Sequence, residues 1–130
     1  MKREMLALML LAAPAWAEDV DCNNAMTQPD MNFCSGKGYQ AADKVLNSTY
    51  AKLMAAADES DKKRLRNAER AWIAFRDAQC GYETSASIDG TIHPMEVSGC
   101  YTSKTIARTK ELESLMGCPE GDPGCKIFRQ

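Results

Sequence analysis

The sequence predicts an all-α protein, a small disulfide-stapled bundle of about three helices. Three segments repeat apolar residues at steps of three and four, which is the period of a helix with one buried face. No segment shows the sustained two-residue alternation of a half-buried strand. The 130 residues can bury one core but are too few for two ordinary domains, so we expect a single domain.

The N-terminus matches a secretory signal peptide. Lys2 and Arg3 precede an apolar run from Met5 to Ala13, and small residues then end at Ala17. The run is about half of the ~20 residues that a membrane-spanning helix needs. We therefore predict a signal peptide over residues 1–17, cleavage near Ala17 and a domain over residues 18–130 with no membrane anchor. The mature protein is expected to be periplasmic or secreted, and cleavage changes its formal net charge from -2 to -3.

The first helix is predicted to begin after Thr27, whose hydroxyl can accept from a free amide group at the helix start. Gly36 and Gly38 each cost about 1 kcal/mol relative to alanine, so we expect the first turns to be bent or frayed. Asp58 to Asp61 provide the next turn and helix cap. The residues that share the buried face of this helix are Met31, Cys34, Ala42, Leu46, Thr49 and Leu53.

The second helix has the clearest amphipathic pattern. Trp72 and Phe75 lie on its apolar line, and we predict that both are core residues together with Leu46 and Tyr50 of the first helix. Basic residues near its start alternate with acidic ones, which indicates a solvated face rather than a nucleic-acid site. No nucleic-acid partner is expected. The full apolar line is Leu65, Ala68, Trp72, Phe75, Gln79 and Tyr82.

A loop and a third helix follow. Residues 81–93 are rich in Ser, Thr and Gly, which favours a loop joining two antiparallel helices. The third helix is predicted to begin at Pro94 and to end near Gly117. The residues that recur at steps of four and three along it are Tyr101, Thr105, Arg108, Leu112 and Leu115.

Six cysteines in an exported chain predict disulfides rather than a metal or haem site. The chain has one histidine and no C-x-x-C pair, so we expect neither a metal nor a cofactor. Fifteen pairings are possible. The helical hairpin ranks Cys80 with Cys100 first, because both lie near the same end of the hairpin. A folded-back N-terminus and a closed C-terminal stretch give the other two pairs, Cys22 with Cys34 and Cys118 with Cys125.

Two sets of residues carry a resemblance to a known family. The first half contains Cys22, the segment Gln28 to Cys34, Ala42-Asp43, Leu46-Asn47 and Tyr50. The second half contains Ala71-Trp-Ile-Ala-Phe-Arg-Asp-Ala-Gln-Cys80, Gly90 to Met95, Cys100, Thr105 and Arg108. Over roughly residues 22–116 the chain resembles the LprI-like lysozyme inhibitor family.

This resemblance implies an exported helical protein with two family disulfides, and a lysozyme inhibitor rather than an enzyme. The chain departs from the family in carrying the additional cysteines Cys118 and Cys125 and in lacking a lipoprotein cysteine. The sequence shows no specific nucleophile–base pair and no specific pair of carboxylates, so we predict no catalytic residues. The alternative is an interaction or immunity module that binds another exported protein.

Two groups of polar residues are the candidate sites. Hydroxyl and imidazole donors in the loop Thr84 to His93 can bind the carboxyl groups of a lysozyme cleft, although Asp89 is unfavourable there. The loop candidates are Ser85, Ser87, Thr91 and His93. We interpret a second group as an internal polar network, which consists of Asp43, Asn47, Arg76, Asp77 and Arg108.

Overall fold

The computed structural model describes residues 19–118, 121–125 and 127–128. It contains three long helices, α1 (Gln28–Ala56), α2 (Glu59–Glu83) and α3 (His93–Ser114), with a short 3₁₀ helix at Ser85–Ser87. Two short strands, β1 (Met116–Cys118) and β2 (Ile127–Phe128), pair in parallel and were not predicted. The all-α prediction is confirmed. The predicted signal peptide, residues 1–17, lies outside the described residues.

The predicted helix caps are present. The Thr27 hydroxyl accepts from the Asp30 amide at 3.2 Å, and the Asp58 carboxylate accepts from the Asp61 amide at 2.8 Å. The first turns are not frayed at Gly36 and Gly38, because α1 continues unbroken through both. Packing against α3 compensates for the low helix propensity of glycine: a side chain at Gly36 would already meet the Ser98 hydroxyl at 4.0 Å.

The three helices run up, down and up. α1 and α3 are parallel and packed together, with the Tyr39 and Tyr101 rings 5.3 Å apart. α2 runs antiparallel to both, as the sequence predicted for the second and third helices. It ends at Glu83, two residues after the start of the predicted loop, and α3 begins one residue earlier than predicted, at His93. None of the described helices has the length and apolarity needed to span a bilayer.

The core is small and centred on three leucines. Leu46 and Leu53 of α1 and Leu112 of α3 are buried, and the partly buried side chains of Tyr50 and Trp72 pack against them. The predictions for Leu46, Tyr50 and Trp72 are therefore confirmed.

The prediction that Phe75 and Tyr82 face the core is wrong. Phe75 is 56% exposed and Tyr82 is 77% exposed. The inward face of α2 instead carries Arg76, which is 8% exposed, and Cys80, which is fully buried. The spacing of the aromatic residues is helical, but the line of Phe75 and Tyr82 lies beside the inward face and leaves both rings largely exposed.

All three predicted disulfides are formed. Cys22–Cys34 ties the N-terminal segment to α1, and Cys80–Cys100 joins α2 to α3, with Cα–Cα distances of 5.5 and 5.8 Å. Cys118–Cys125 closes the segment after β1. Gly117 has a φ of 68°, a left-handed conformation that glycine adopts at little cost, and it carries the chain from α3 into this segment.

Candidate functional site

The loop between α2 and α3 is attached to all three helices. The Cys80–Cys100 bridge joins the two helices that flank it. Thr84 is 5% exposed, and its hydroxyl donates a hydrogen bond to the Cys80 carbonyl oxygen at 2.7 Å. From α1, the Asn32 amide donates to the Thr91 carbonyl at 2.9 Å. The loop is thus fixed at its start, at its far side and across its base.

Backbone hydrogen bonds also close the loop on itself. The Gly90 amide donates to the Ser87 carbonyl at 2.7 Å, and the His93 amide donates to the Gly90 carbonyl at 3.2 Å. A β-carbon at Gly90 would lie 3.2 Å from the Ser87 carbonyl oxygen, which explains a glycine at this point of the turn. The segment is a compact turn rather than an extended flap.

The four predicted loop residues fall into two kinds. Ser85 and Thr91 are exposed, as expected for partner contacts. Ser87 and His93 are only half-exposed, and the Ser87 hydroxyl lies 3.1 Å from His93 Nδ1 and also bonds to the Thr84 carbonyl at 3.1 Å. The expectation that Ser87 and His93 are freely exposed is wrong, because each is used inside the loop.

The tip of the loop is apolar as well as polar. Ile88 is 61% exposed and Ile92 is 38% exposed, and both lie among exposed polar residues. These isoleucines were not selected from the sequence. The sequence does contain a signal for Ile88: it is a single apolar residue between polar turn residues, so it has no helix face on which to be buried.

Arg76 forms the centre of a buried polar cluster. Its guanidinium donates to Asp77 Oδ1 at 2.9 and 3.0 Å and to the Tyr39 hydroxyl at 3.0 Å. It lies over the rings of Tyr39, Trp72 and Tyr101 at 4.7–5.6 Å. Burial disfavours its charge, but the bond to Asp77 and the attraction of nearby groups raise its pKa above the ordinary value.

The other predicted network residues are only partly linked to this cluster. Arg108 binds Glu69 at 3.1 Å and Glu111 at 3.1 Å, so its main partner, Glu69, was missed. Asp43 accepts from the Asn47 amide at 3.2 Å. Asp43, Asn47 and Arg76 line one groove between α1 and α2, whereas Arg108 reaches Trp72 from the α3 side.

The disulfide is the signal that could have located the missed residues. Cys80 must face α3 to form its disulfide with Cys100. Residues on the same face of α2, one to four helical turns before Cys80, therefore also point inward. Counting back by three and four gives Arg76, Trp72, Glu69 and Leu65. Aromatic spacing alone cannot separate this face from the adjacent line that contains Phe75.

Cys80, Glu83 and Cys100 have ligand atoms within 4.8 Å of one another. The two sulfur atoms form a disulfide and hold no free thiolate, so this cluster is not a metal site. The hydrogen bond from Lys104, at 2.8 Å, lowers the pKa of Glu83, and that from Gln79 adds to the effect. Glu83 is thereby a second tie between α2 and α3 below the loop.

The fold and the site define a small helical module, stapled by disulfides, that presents one braced loop at an end of the bundle. The chain belongs to the LprI lysozyme inhibitor family, because the family model described as "Lysozyme inhibitor LprI" matches residues 21–112. An uncharacterized protein of Rhizobium meliloti (strain 1021) is 38% identical over 128 residues, covering 87% of this chain and 92% of that protein. No solved structure matches the chain.

Proposed function

We propose that the protein is an exported inhibitor that binds lysozyme stoichiometrically and blocks its substrate cleft with the loop Thr84 to His93. The observation that supports this most directly is the combination of a tied base and an exposed tip. Cys80–Cys100 holds the base and Asn32 holds the Thr91 carbonyl, while the side chains of Ile88 and Thr91 are left exposed. Family membership supplies the class of target.

A braced loop suits inhibition because little conformational freedom is lost on binding. A glycoside hydrolase cleft holds a pair of carboxyl groups about 5–10 Å apart and walls that bind sugar rings. The hydroxyls of Ser85 and Thr91 can donate to those carboxyl groups, and Ile88 can pack against a wall. No bond is made or broken, so the protein acts as an occupant of the cleft and needs no catalytic group.

Titration of the protein into lysozyme acting on bacterial cell walls tests this function. Activity is expected to fall in proportion to added protein and to end near one inhibitor per lysozyme. The variant Ile88→Ala/Thr91→Ala is expected to raise the inhibition constant at least about tenfold, since it removes both tip contacts. Ser48→Ala/Ser103→Ala, which alters exposed hydroxyls on α1 and α3, is the matched control and should inhibit normally.

The possible outcomes test separately whether the protein inhibits lysozyme and whether the loop is its binding site. Full activity of c-type, g-type and i-type lysozymes at excess protein would refute inhibition. Normal inhibition by the Ile88→Ala/Thr91→Ala variant would refute only the loop as the binding site. Because Ser87 and His93 support the loop from within, their replacement reports on bracing and is not used as the contact test.

Replacing Asp89 is expected to strengthen inhibition, whereas replacing Ile88 and Thr91 weakens it. Its carboxylate is exposed beside Ile88 and faces repulsion in an acidic cleft. Asp89→Asn is therefore expected to lower the inhibition constant several-fold at low salt, and added salt should reduce the difference between the two proteins. A higher inhibition constant for the Asn variant would show that Asp89 accepts a bond from the lysozyme.

A further inference from the structure

α2 has a second apolar line beside its inward face, and at the N-terminal end of this line Ala68 borders a groove with Leu53 and Leu115. Phe75 and Tyr82 on this line are 56% and 77% exposed, and its alanines are exposed too. The residues are spaced by three and four, which is the heptad repeat of helices that pack along their length. We call this line the α2 stripe, and it consists of Ala68, Ala71, Phe75, Ala78 and Tyr82.

We propose that the α2 stripe is a homodimer interface, in which α2 packs antiparallel against α2 of a second copy. Side-chain size supports this pairing. An alignment that sets Phe75 against the partner's Ala71 also sets Ala68 against the partner's Ala78. Each Phe75 ring then packs beside the methyl group of the partner's Ala71, and two-fold symmetry repeats the contact.

Charge supports the antiparallel direction. Arg64 lies four residues before Ala68, at the N-terminal end of the same line; it binds Asp61 at 2.9 Å, and its side chain is still 73% exposed. The alignment above places its guanidinium against the ring of the partner's Tyr82 and near the C-terminal, negative end of the partner's helix. Parallel pairing would instead bring the two Arg64 side chains together.

The available area indicates a weak dimer. With about 200 Å² for a full aromatic side chain, the exposed parts of Phe75 and Tyr82 in two copies amount to roughly 500 Å². The alanines and the Arg64 stem add to this along a helix of 25 residues. Weak and transient interfaces bury less than about 1,200 Å² in total, so we expect a dissociation constant in the micromolar range.

Sedimentation equilibrium of the purified, oxidised protein measures this association. The average mass is expected to rise from that of one copy towards that of two between about 1 and 500 μM protein. Ala71→Glu and Ala78→Glu should each raise the dissociation constant at least about 100-fold, because a charge is buried at the centre of the interface in both copies. Their circular dichroism should remain helical, since both positions are exposed.

Val45→Glu is the matched control. Val45 is 54% exposed and lies in an apolar groove between α1 and α3, away from the stripe, so this variant should dimerise normally. A single-copy mass at every concentration would overturn the proposal, and so would loss of dimer in Val45→Glu but not in Ala78→Glu.

A double-mutant cycle tests the antiparallel alignment independently. Arg64→Ala and Tyr82→Ala should each weaken the dimer, and their combined effect should be smaller than the product of the two fold-changes, because they remove one contact across the interface. Independent effects would overturn the contact and with it this alignment.

Discussion

Trp72 is the residue on which the two polar clusters converge. The guanidinium of Arg76 lies 5.3 Å from its ring centre and that of Arg108 lies 5.9 Å away. The ring also packs against the leucine core. Loss of this indole therefore leaves a cavity and removes the ring beside Arg108, whereas Arg76 keeps the rings of Tyr39 and Tyr101.

Trp72→Ala is expected to lower the free energy of unfolding by about 3 to 5 kcal/mol, the usual cost of removing a large packed aromatic side chain. Denaturant melts of the oxidised proteins measure it. Phe75→Ala is the control on the same helix, and below about 1 μM, where dimer does not contribute, it should cost less than about 1 kcal/mol. A loss of similar size for both would contradict the assignment of the two faces.

Ionisation of Tyr101 is expected to reduce the stability of the fold at alkaline pH. Burial raises the pKa of its hydroxyl above the ordinary 10.0, and the Asp77 carboxylate adds to the rise, although Arg76 opposes it. Because the folded pKa lies above the unfolded one, the neutral phenol contributes fully below pH 10 and its contribution is lost as pH rises through the folded value.

The expected result is a fall in unfolding free energy above about pH 10 that is smaller in Tyr101→Phe than in the parent protein. Denaturant melts at several alkaline pH values, with phenolate absorbance followed in parallel, check this. Equal pH dependence in the two proteins would show that Tyr101 ionises equally readily in both states.

At the scale of elements, the sequence predicts the helices well and the faces of α2 poorly. Caps at Thr27 and Asp58 and the turn-rich loop are local signals, and each is present in the structure. The face of a helix depends on what lies across from it. In α2 two lines of residues overlap, and the inward one includes Arg76, which is buried because Asp77 beside it and the Tyr39 hydroxyl of α1 accept its hydrogen bonds.

The loop shows the same division between local and long-range information. Its composition predicts a turn with polar donors, and that is what forms. Its sequence does not reveal that Asn32, on a distant helix, binds the Thr91 carbonyl, or that Ser87 and His93 bond to each other. The sequence therefore predicts all four polar residues as partner contacts, whereas Ser87 and His93 bond to each other inside the loop.

The disulfide next to the loop gives a prediction about bracing. Cys80→Ser/Cys100→Ser opens a link of sequence separation 20 and is expected to cost about 3 kcal/mol of stability. It should also raise the inhibition constant for lysozyme, because the loop must be ordered on binding. Cys118→Ser/Cys125→Ser is the control: it opens a link far along the chain from the loop and should leave the inhibition constant unchanged.

At the scale of the whole molecule, the two proposed surfaces share α2 but do not coincide. The stripe runs along one flank of the helix, whereas the loop begins where the helix ends at Glu83. α2 has 25 residues and is therefore about 37 Å long. Antiparallel pairing places the two loops at opposite ends of that length, where each can enter a separate lysozyme.

This arrangement predicts that dimerisation and inhibition can be removed separately. Ala78→Glu should be a single copy at concentrations where the parent protein dimerises, yet inhibit lysozyme with an unchanged constant, because its loop is intact. Ile88→Ala/Thr91→Ala should dimerise normally and inhibit at least about tenfold more weakly. Sedimentation and cell-wall lysis on the same preparations measure both properties. Loss of inhibition in Ala78→Glu, with helicity and stability retained, would mean that lysozyme itself binds the α2 stripe and that the loop is not the sole contact surface.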